Sequence, residues 1–172
     1  VSATTANVLM AAGLCIGYAE GIETPSSSFL MEVPHFMGGE ERLFVFADCA
    51  LNVAPNAGQL AEIAVASART AAALLDIEPK VALLSFSTRG SGTGESVDRV
   101  REAVQLVRKL APDLPVDGEL QADAAVVQRV AGKKAPDSDV AGTANVLVFP
   151  DLNSGNIAYK LVQYMAGARA FG

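Results

Sequence analysis

The chain has 172 residues, 51% of them apolar and 19% charged, with 15 Gly and 8 Pro; this fits one ordinary domain with a packed core and excludes intrinsic disorder and linker-joined multidomain readings. Thirteen Lys and Arg against 19 Asp and Glu give a net charge of −6, and no basic cluster exceeds Lys133-Lys134, so the electrostatic footprint of a nucleic-acid surface is missing. The two cysteines, Cys15 and Cys49, lie far apart with neither CxxC spacing nor a His partner, which argues against a disulfide framework and a zinc site and fits a reducing cytoplasm.

A first helix is expected from Thr5 to about Leu14. Phe29 to Val33 and Leu43 to Ala47 read as two short strands around a loop holding Pro34, Gly38 and Gly39, an antiparallel pair added to a sheet. From Asn56 to Leu75 the chain is Ala-rich, with Leu60, Ile63, Ser67, Thr70 and Leu74 at spacings of three and four, and Pro55-Asn56 marks the helix start. Val81 to Phe86 is a short apolar run bounded by a Gly/Ser loop, hence a buried strand. Val97, Val100, Val104 and Val107 then predict a helix from about Ser96 to Leu110, ended by Pro112 and Pro115. A strand at Val116 to Leu120, an Ala-rich helix at Ala122 to Ala131 and a loop from Gly132 to Gly142 follow. Ala144 to Phe149 is the clearest buried strand, and Ile157, Leu161, Tyr164, Met165 and Ala168 return to helical spacing over Asn153 to Ala168. This alternation predicts an α/β three-layer sandwich with a mainly parallel sheet, because parallel strands need helical crossovers. No apolar run approaches the roughly 18 residues of a membrane span, so no membrane partner is expected. The start on Val1 and the stop at Gly172, directly after a helical segment, suggest a piece of a longer polypeptide.

In open α/β sheets, ligands gather beyond the carboxyl ends of the strands. Three such places stand out: Asp48-Cys49, the loop Ser87 to Gly94, and Pro150 to Asn156. Ser87, Thr88, Gly90 and Ser91 combine hydroxyls with a backbone free to surround an anion, although neither a P-loop nor a dinucleotide fingerprint is present and, taken alone, the loop reads more readily as a plain turn. Asn153, Ser154, Gly155 and Asn156 open the last helix, where free N–H groups and the macrodipole attract negative charge; capping by Asp151 or Asn153 would account for only one of these polar residues. Thr4 and Thr5 place two hydroxyls at the first helix start, with capping as the competing explanation. Lys160 lies one turn beyond Asn156 and either reaches an anion or is solvated. His35, the single histidine, has no companion group and receives no role.

These residues sit in blocks that resemble a family. Phe46 to Asn52 (FADCALN), Val81 to Thr88 (VALLSFST), Asp117 to Ala125 (DGELQADAA), Lys134-Ala135-Pro136 and Val140 to Lys160 (VAGTANVLVFPDLNSGNIAYK) look like phosphate acetyltransferase, in the same order and at nearly the same separations. The resemblance implies a two-domain α/β enzyme of which residues 1–172 are the second, isopropylmalate-dehydrogenase-like domain, with the active site in the interdomain cleft, and usually a homodimer. The implied reaction is acetyl-CoA + phosphate ⇌ acetyl phosphate + CoA, with CoA as substrate, no further cofactor and no metal. A base deprotonates the CoA thiol, the thiolate attacks the acyl carbonyl, and cationic and hydrogen-bond donors hold the phosphate.

Two departures from the family pattern fall in its motifs. Thr4 to Met10 (TTANVLM) carries Met10 where the family's S-T-A-x-T-x-R has arginine, and Tyr159 to Tyr164 (YKLVQY) carries Tyr164 where Y-K-x-x-Q-R has arginine; neither replaces a bidentate guanidinium. The family's Asp base and Ser-Arg pair belong to a returning segment, so the catalytic residues are expected outside these 172 and the piece alone is expected to be inactive. Thr4, Thr5, Ser87, Thr88, Gly90, Ser91, Asn153, Ser154, Gly155, Asn156 and Lys160 are the expected substrate-binding residues. The alternatives are a non-catalytic ligand-sensing or assembly domain of the same fold, and a phosphate butyryltransferase-like enzyme.

Overall fold

The computed structural model describes residues 8, 11–13, 15–18 and 23–172. Thr4, Thr5 and Met10 lie outside the described residues; within the expected first helix, residues 8 and 11–13 are helical, as are 15 and 16. The elements are β1 (Phe29–Val33), a 3-10 turn (Phe36–Gly38), β2 (Arg42–Ala47), α1 (Ala57–Leu75), β3 (Val81–Leu84), α2 (Glu95–Leu110), β4 (Val116–Leu120), α3 (Ala122–Val126), α4 (Gln128–Lys134), β5 (Val146–Val148), α5 (Leu152–Met165) and β6 (Arg169–Phe171).

The described strands form one sheet in the order β4-β3-β5-β2-β1-β6. β2, β5, β3 and β4 are mutually parallel, whereas β1 runs antiparallel to both β2 and β6. Period-two alternation sends successive side chains to opposite faces. Val45, Ala47, Val81, Leu83, Val146 and Val148 pack with α1 and α2, while Phe44, Phe46, Ala82, Leu84, Leu147 and Phe149 pack with α3, α4 and α5. The three expected layers are thereby formed.

Helix α1 starts at a capping box: the Asn56 side chain accepts from Gln59 N at 2.9 Å and Gln59 Oε1 accepts from Asn56 N at 3.0 Å. Asn56→Ala is expected to cost about 1 kcal/mol in urea denaturation. The buried stripe of α1 is small, with Ala57, Ala61, Ala64, Ala68 and Ala71 beside Leu60, Ile63 and Ser67; Leu74 is 74% exposed and lies off that stripe. In α2 the valines Val97, Val100, Val104 and Val107 are all buried, as their spacing predicts.

Four expectations are corrected. The helix expected over Ala122 to Ala131 is two helices meeting at Val127, whose backbone is extended (φ −112, ψ 106); the β-branched pair Val126-Val127 favours such a break. The second of them continues to Lys134, so the loop expected from Gly132 begins three residues later. The periodic face of α5 points outward: Ile157, Leu161, Tyr164 and Met165 are 57%, 50%, 82% and 81% exposed. Gly155 and Tyr159 face the sheet instead, with Ala158 and Val162 packed against the core. Finally, β6 adds a strand that three residues gave no period to reveal. It is tied to β1 by the ion pair of Arg169 with Glu32.

Candidate functional site

Because β2, β5, β3 and β4 run the same way, the turns after them open on one edge of the sheet, together with the N-termini of α1, α2 and α5. This edge is the mouth at which ligands of such sheets gather.

The turn after β2 is organised by Asp48, which is buried at 3% exposure. Oδ1 accepts from Ala50 N at 2.9 Å, Leu51 N at 3.1 Å and the Ser27 hydroxyl, while Oδ2 accepts from Asn52 N at 2.9 Å and from the Asn52 side chain. Burial pushes this carboxyl up, but the donors from Ala50, Ser27 and Asn52 outweigh it and hold it below the usual range. Beside it, burial and the Asp48 charge push the Cys49 thiol up to about 12, so it is a buried structural thiol and not a nucleophile.

The loop after β3 carries its own anion. The Ser87 hydroxyl donates to Glu119 Oε1 at 2.8 Å and Gly90 N donates to the same oxygen at 2.8 Å. Arg101 closes on the other side, Nε to Oε2 at 2.9 Å and Nη2 to Oε1 at 3.0 Å. Burial raises the Glu119 carboxyl, yet Arg101, Gly90 and Ser87 together bring it down to about 2. Thr88 is spent as well: its hydroxyl accepts from Gln121 N at 2.8 Å, and its N–H donates to Ser91 Oγ at 2.9 Å. Ser87, Thr88, Gly90 and Ser91 are therefore brought together at the mouth, with these polar groups engaged inside the protein.

Helix α5 begins at Asp151, whose Oδ1 accepts from Ser154 N at 2.8 Å, and the Ser154 hydroxyl donates to Asp151 O at 2.8 Å. Gly155 lies against the turn after β2, so close that a Cβ there would stand 2.3 Å from Asp48 O. Asn156 Nδ2 donates to Cys49 O at 3.1 Å and its Oδ1 accepts from Lys160 Nζ at 3.0 Å. Asn153 is exposed in the first turn, and Lys160 is exposed with its ammonium 5.5 Å from the Tyr159 ring centre. This corner thus offers an amide side chain, an ammonium and a helix N-terminus, groups suited to a phosphoryl oxygen.

Sequence reasoning gave no role to Asp48, Glu119 or Arg101. Asp48 had a signal, a carboxylate four residues before Asn52 just past a strand, the pattern of a side chain capping its own turn. Glu119 and Arg101 had none, because their pairing depends on how α2 packs on β4.

A family model described as phosphate acetyl/butaryl transferase matches residues 1–172. The phosphate acetyltransferase of Thermoanaerobacterium thermosaccharolyticum is 56% identical over 168 residues, 98% of this chain and 51% of that protein. That of Bacillus subtilis is 48% identical over 169 residues, 98% of this chain and 50% of that protein. Among solved structures, a phosphotransacetylase from Streptococcus pyogenes superposes with a TM-score of 0.87 at 48% identity, covering 98% of this chain and 50% of that one. The chain spans about half the length of these relatives. With the family model matching residues 1–172 and the fold superposing on a phosphotransacetylase, the chain belongs to the phosphate acetyl/butaryl transferase family.

Proposed function

We infer that this chain is an α/β domain of a phosphate acetyltransferase, a longer enzyme that interconverts acetyl-CoA and phosphate with acetyl phosphate and CoA. The observation that carries this reading is the kinship with phosphate acetyltransferases along 98% of the chain. The chemistry of the mouth supports it. The start of α5, the Asn153 amide and the Lys160 ammonium offer donors to a phosphate or acyl phosphate, while Ser154, Gly155 and Asn156 fix their position. Ser87, Thr88, Gly90 and Ser91 form the wall beside them. Thr4 and Thr5, which lie outside the described residues, are counted as substrate-binding only on the resemblance of the TTANVLM segment to the family's motif. CoA acts as substrate, and no resident cofactor or metal is invoked.

The reaction places the protein in acetate metabolism. The two unbonded cysteines, Cys15 exposed and Cys49 buried, suit a cytoplasmic setting. The outward apolar stripe of α5, from Ile157 to Met165, suits a homodimer in which a second copy covers it.

Thiol release from acetyl-CoA by the full-length enzyme, of whose relatives residues 1–172 span about half, tests the reaction. Release that depends on added phosphate is expected; no release, or release indifferent to phosphate, refutes it. Lys160→Ala is expected to raise KM for the anionic substrates about tenfold, the loss of one charge-assisted hydrogen bond, with the melting temperature unchanged.

A further inference from the structure

On the α3–α5 face of the sheet, a cavity of about 510 Å³ lies between α5, α3 and the loop joining β1 to β2. Its wall is a series of rings: Phe36, Phe44, Phe46 and Phe149 follow one another at centroid distances of 5.3, 6.3 and 5.2 Å, tilted by 61°, 65° and 57°. Phe44, Phe46 and Phe149 are buried, whereas His35, Met37, Ala122 and Ala166 around them are exposed, so the space has a covered floor and an open rim. The room comes from α5, which turns the small side chains of Ala158 and Val162 towards it. Packed interiors leave few voids larger than a water molecule, and an apolar space of this size is that of a ligand pocket.

The pocket is held in shape without a ligand. The Arg42 guanidinium lies 5.2 Å from the Phe36 ring centre and 5.0 Å from that of Phe44. It donates to Val126 O at the end of α3 (3.4 Å) and to Ala144 O just ahead of β5 (3.2 Å), which ties the three walls together. In the loop, His35 and Met37 keep left-handed backbone (φ 49 and 54), a conformation that persists in such residues where the surrounding structure enforces it. No Lys, Arg, Asp or Glu lines the pocket among the described residues, so a charged ligand would lose its hydration without gaining a partner. Rings set edge to face offer a further ring the same arrangement.

We propose that this pocket binds an uncharged aromatic small molecule, its ring set against Phe46 and Phe149 beneath Ala158 and Val162. The assignment goes beyond acetyl transfer and does not depend on it.

Calorimetric titration of the full-length enzyme with indole as the probe, and with cyclohexanol and benzoate as controls, tests the proposal. Indole is expected to bind saturably and to raise the melting temperature. Cyclohexanol is expected to bind about fivefold more weakly for want of a π-face, and benzoate not to bind. Phe46→Leu is expected to weaken indole about fivefold. Ala158→Phe, which fills the pocket, and Ala122→Trp, which covers its rim from an exposed position, are expected to abolish binding. Ala122→Trp burdens no packed residue and decides the matter if Ala158→Phe does not fold. Indole bound here is expected to stay bound when CoA is added. Failure of the parent enzyme to bind indole overturns the proposal, and a second copy covering the rim would show itself in this way. Equal binding of indole by the parent and Ala122→Trp, or of indole and cyclohexanol by the parent, overturns it as well. Displacement of indole by CoA would return the pocket to the acetyl-CoA reading and also overturns it.

Discussion

Gly155→Ala is expected to destabilise the fold by about 3 kcal/mol or more, read as a drop in the urea midpoint. The added methyl would stand 2.3 Å from Asp48 O and 3.3 Å from Cys49 Sγ. The first of these atoms is backbone, held in a turn whose own carboxylate is fully engaged, so the helix must lift. Lifting it breaks the Asn156 to Cys49 O hydrogen bond and draws Tyr159 from its stack on Phe29, where the ring centroids are 4.5 Å apart. Gly132 supplies the control. It lies in α4 with nothing within 4 Å of a Cβ, and Gly132→Ala is expected to stabilise by about 0.5–1 kcal/mol through helix propensity alone. Equal effects at the two glycines would show that the close approach of α5 to β2 is not what position 155 requires.

Glu119→Ala is expected to cost about 2–3 kcal/mol, below the full penalty for halving a buried ion pair because the Arg101 side chain is 39% exposed and retains water and Asp98 as partners. The loss falls on the loop after β3, where the Ser87 hydroxyl and Gly90 N–H are left without their acceptor. Acid titration gives the same prediction another reading. A carboxyl whose pKa is about 2 in the fold, against 4.5 ordinarily, contributes stability that is fully present above its ordinary range. That contribution fades as the pH falls from near 4.5 towards about 2. The parent chain is therefore expected to lose stability across this window more steeply than Glu119→Gln, measured as melting temperature against pH. Parallel curves would remove Glu119 from the account.

The alternation of strands and helices was legible because β3 and β5 are short apolar runs and α2 carries one valine stripe without competitors. The stripe of α5 misled for a physical reason. Periodicity weighs side-chain size, and the face that meets the sheet is made of Gly155, Ala158, Tyr159 and Val162, in which Tyr159 alone is bulky. The Ser/Gly loop reads in sequence more readily as a plain turn than as an anion cradle, because the carboxylate that occupies it comes from position 119, 32 residues beyond Ser87. No local pattern joins residues that only sheet pairing brings together. The corner built by Asn153, Asn156 and Lys160 was more readable, since one helical turn carries most of it.

The turn after β2 does more than end a strand. Asn52 Nδ2 donates to Pro25 O at 2.8 Å, Asp48 grips Ser27, Gly155 abuts Asp48 O, and Asn156 bridges Cys49 O to the Lys160 ammonium. Residues leading into β1 are thus geared through one carboxylate to an ammonium on α5. This hydrogen-bonded path joins three separate stretches of the chain, at Pro25–Ser27, Asp48–Asn52 and Asn156–Lys160, and the Asp48 carboxylate is its central link.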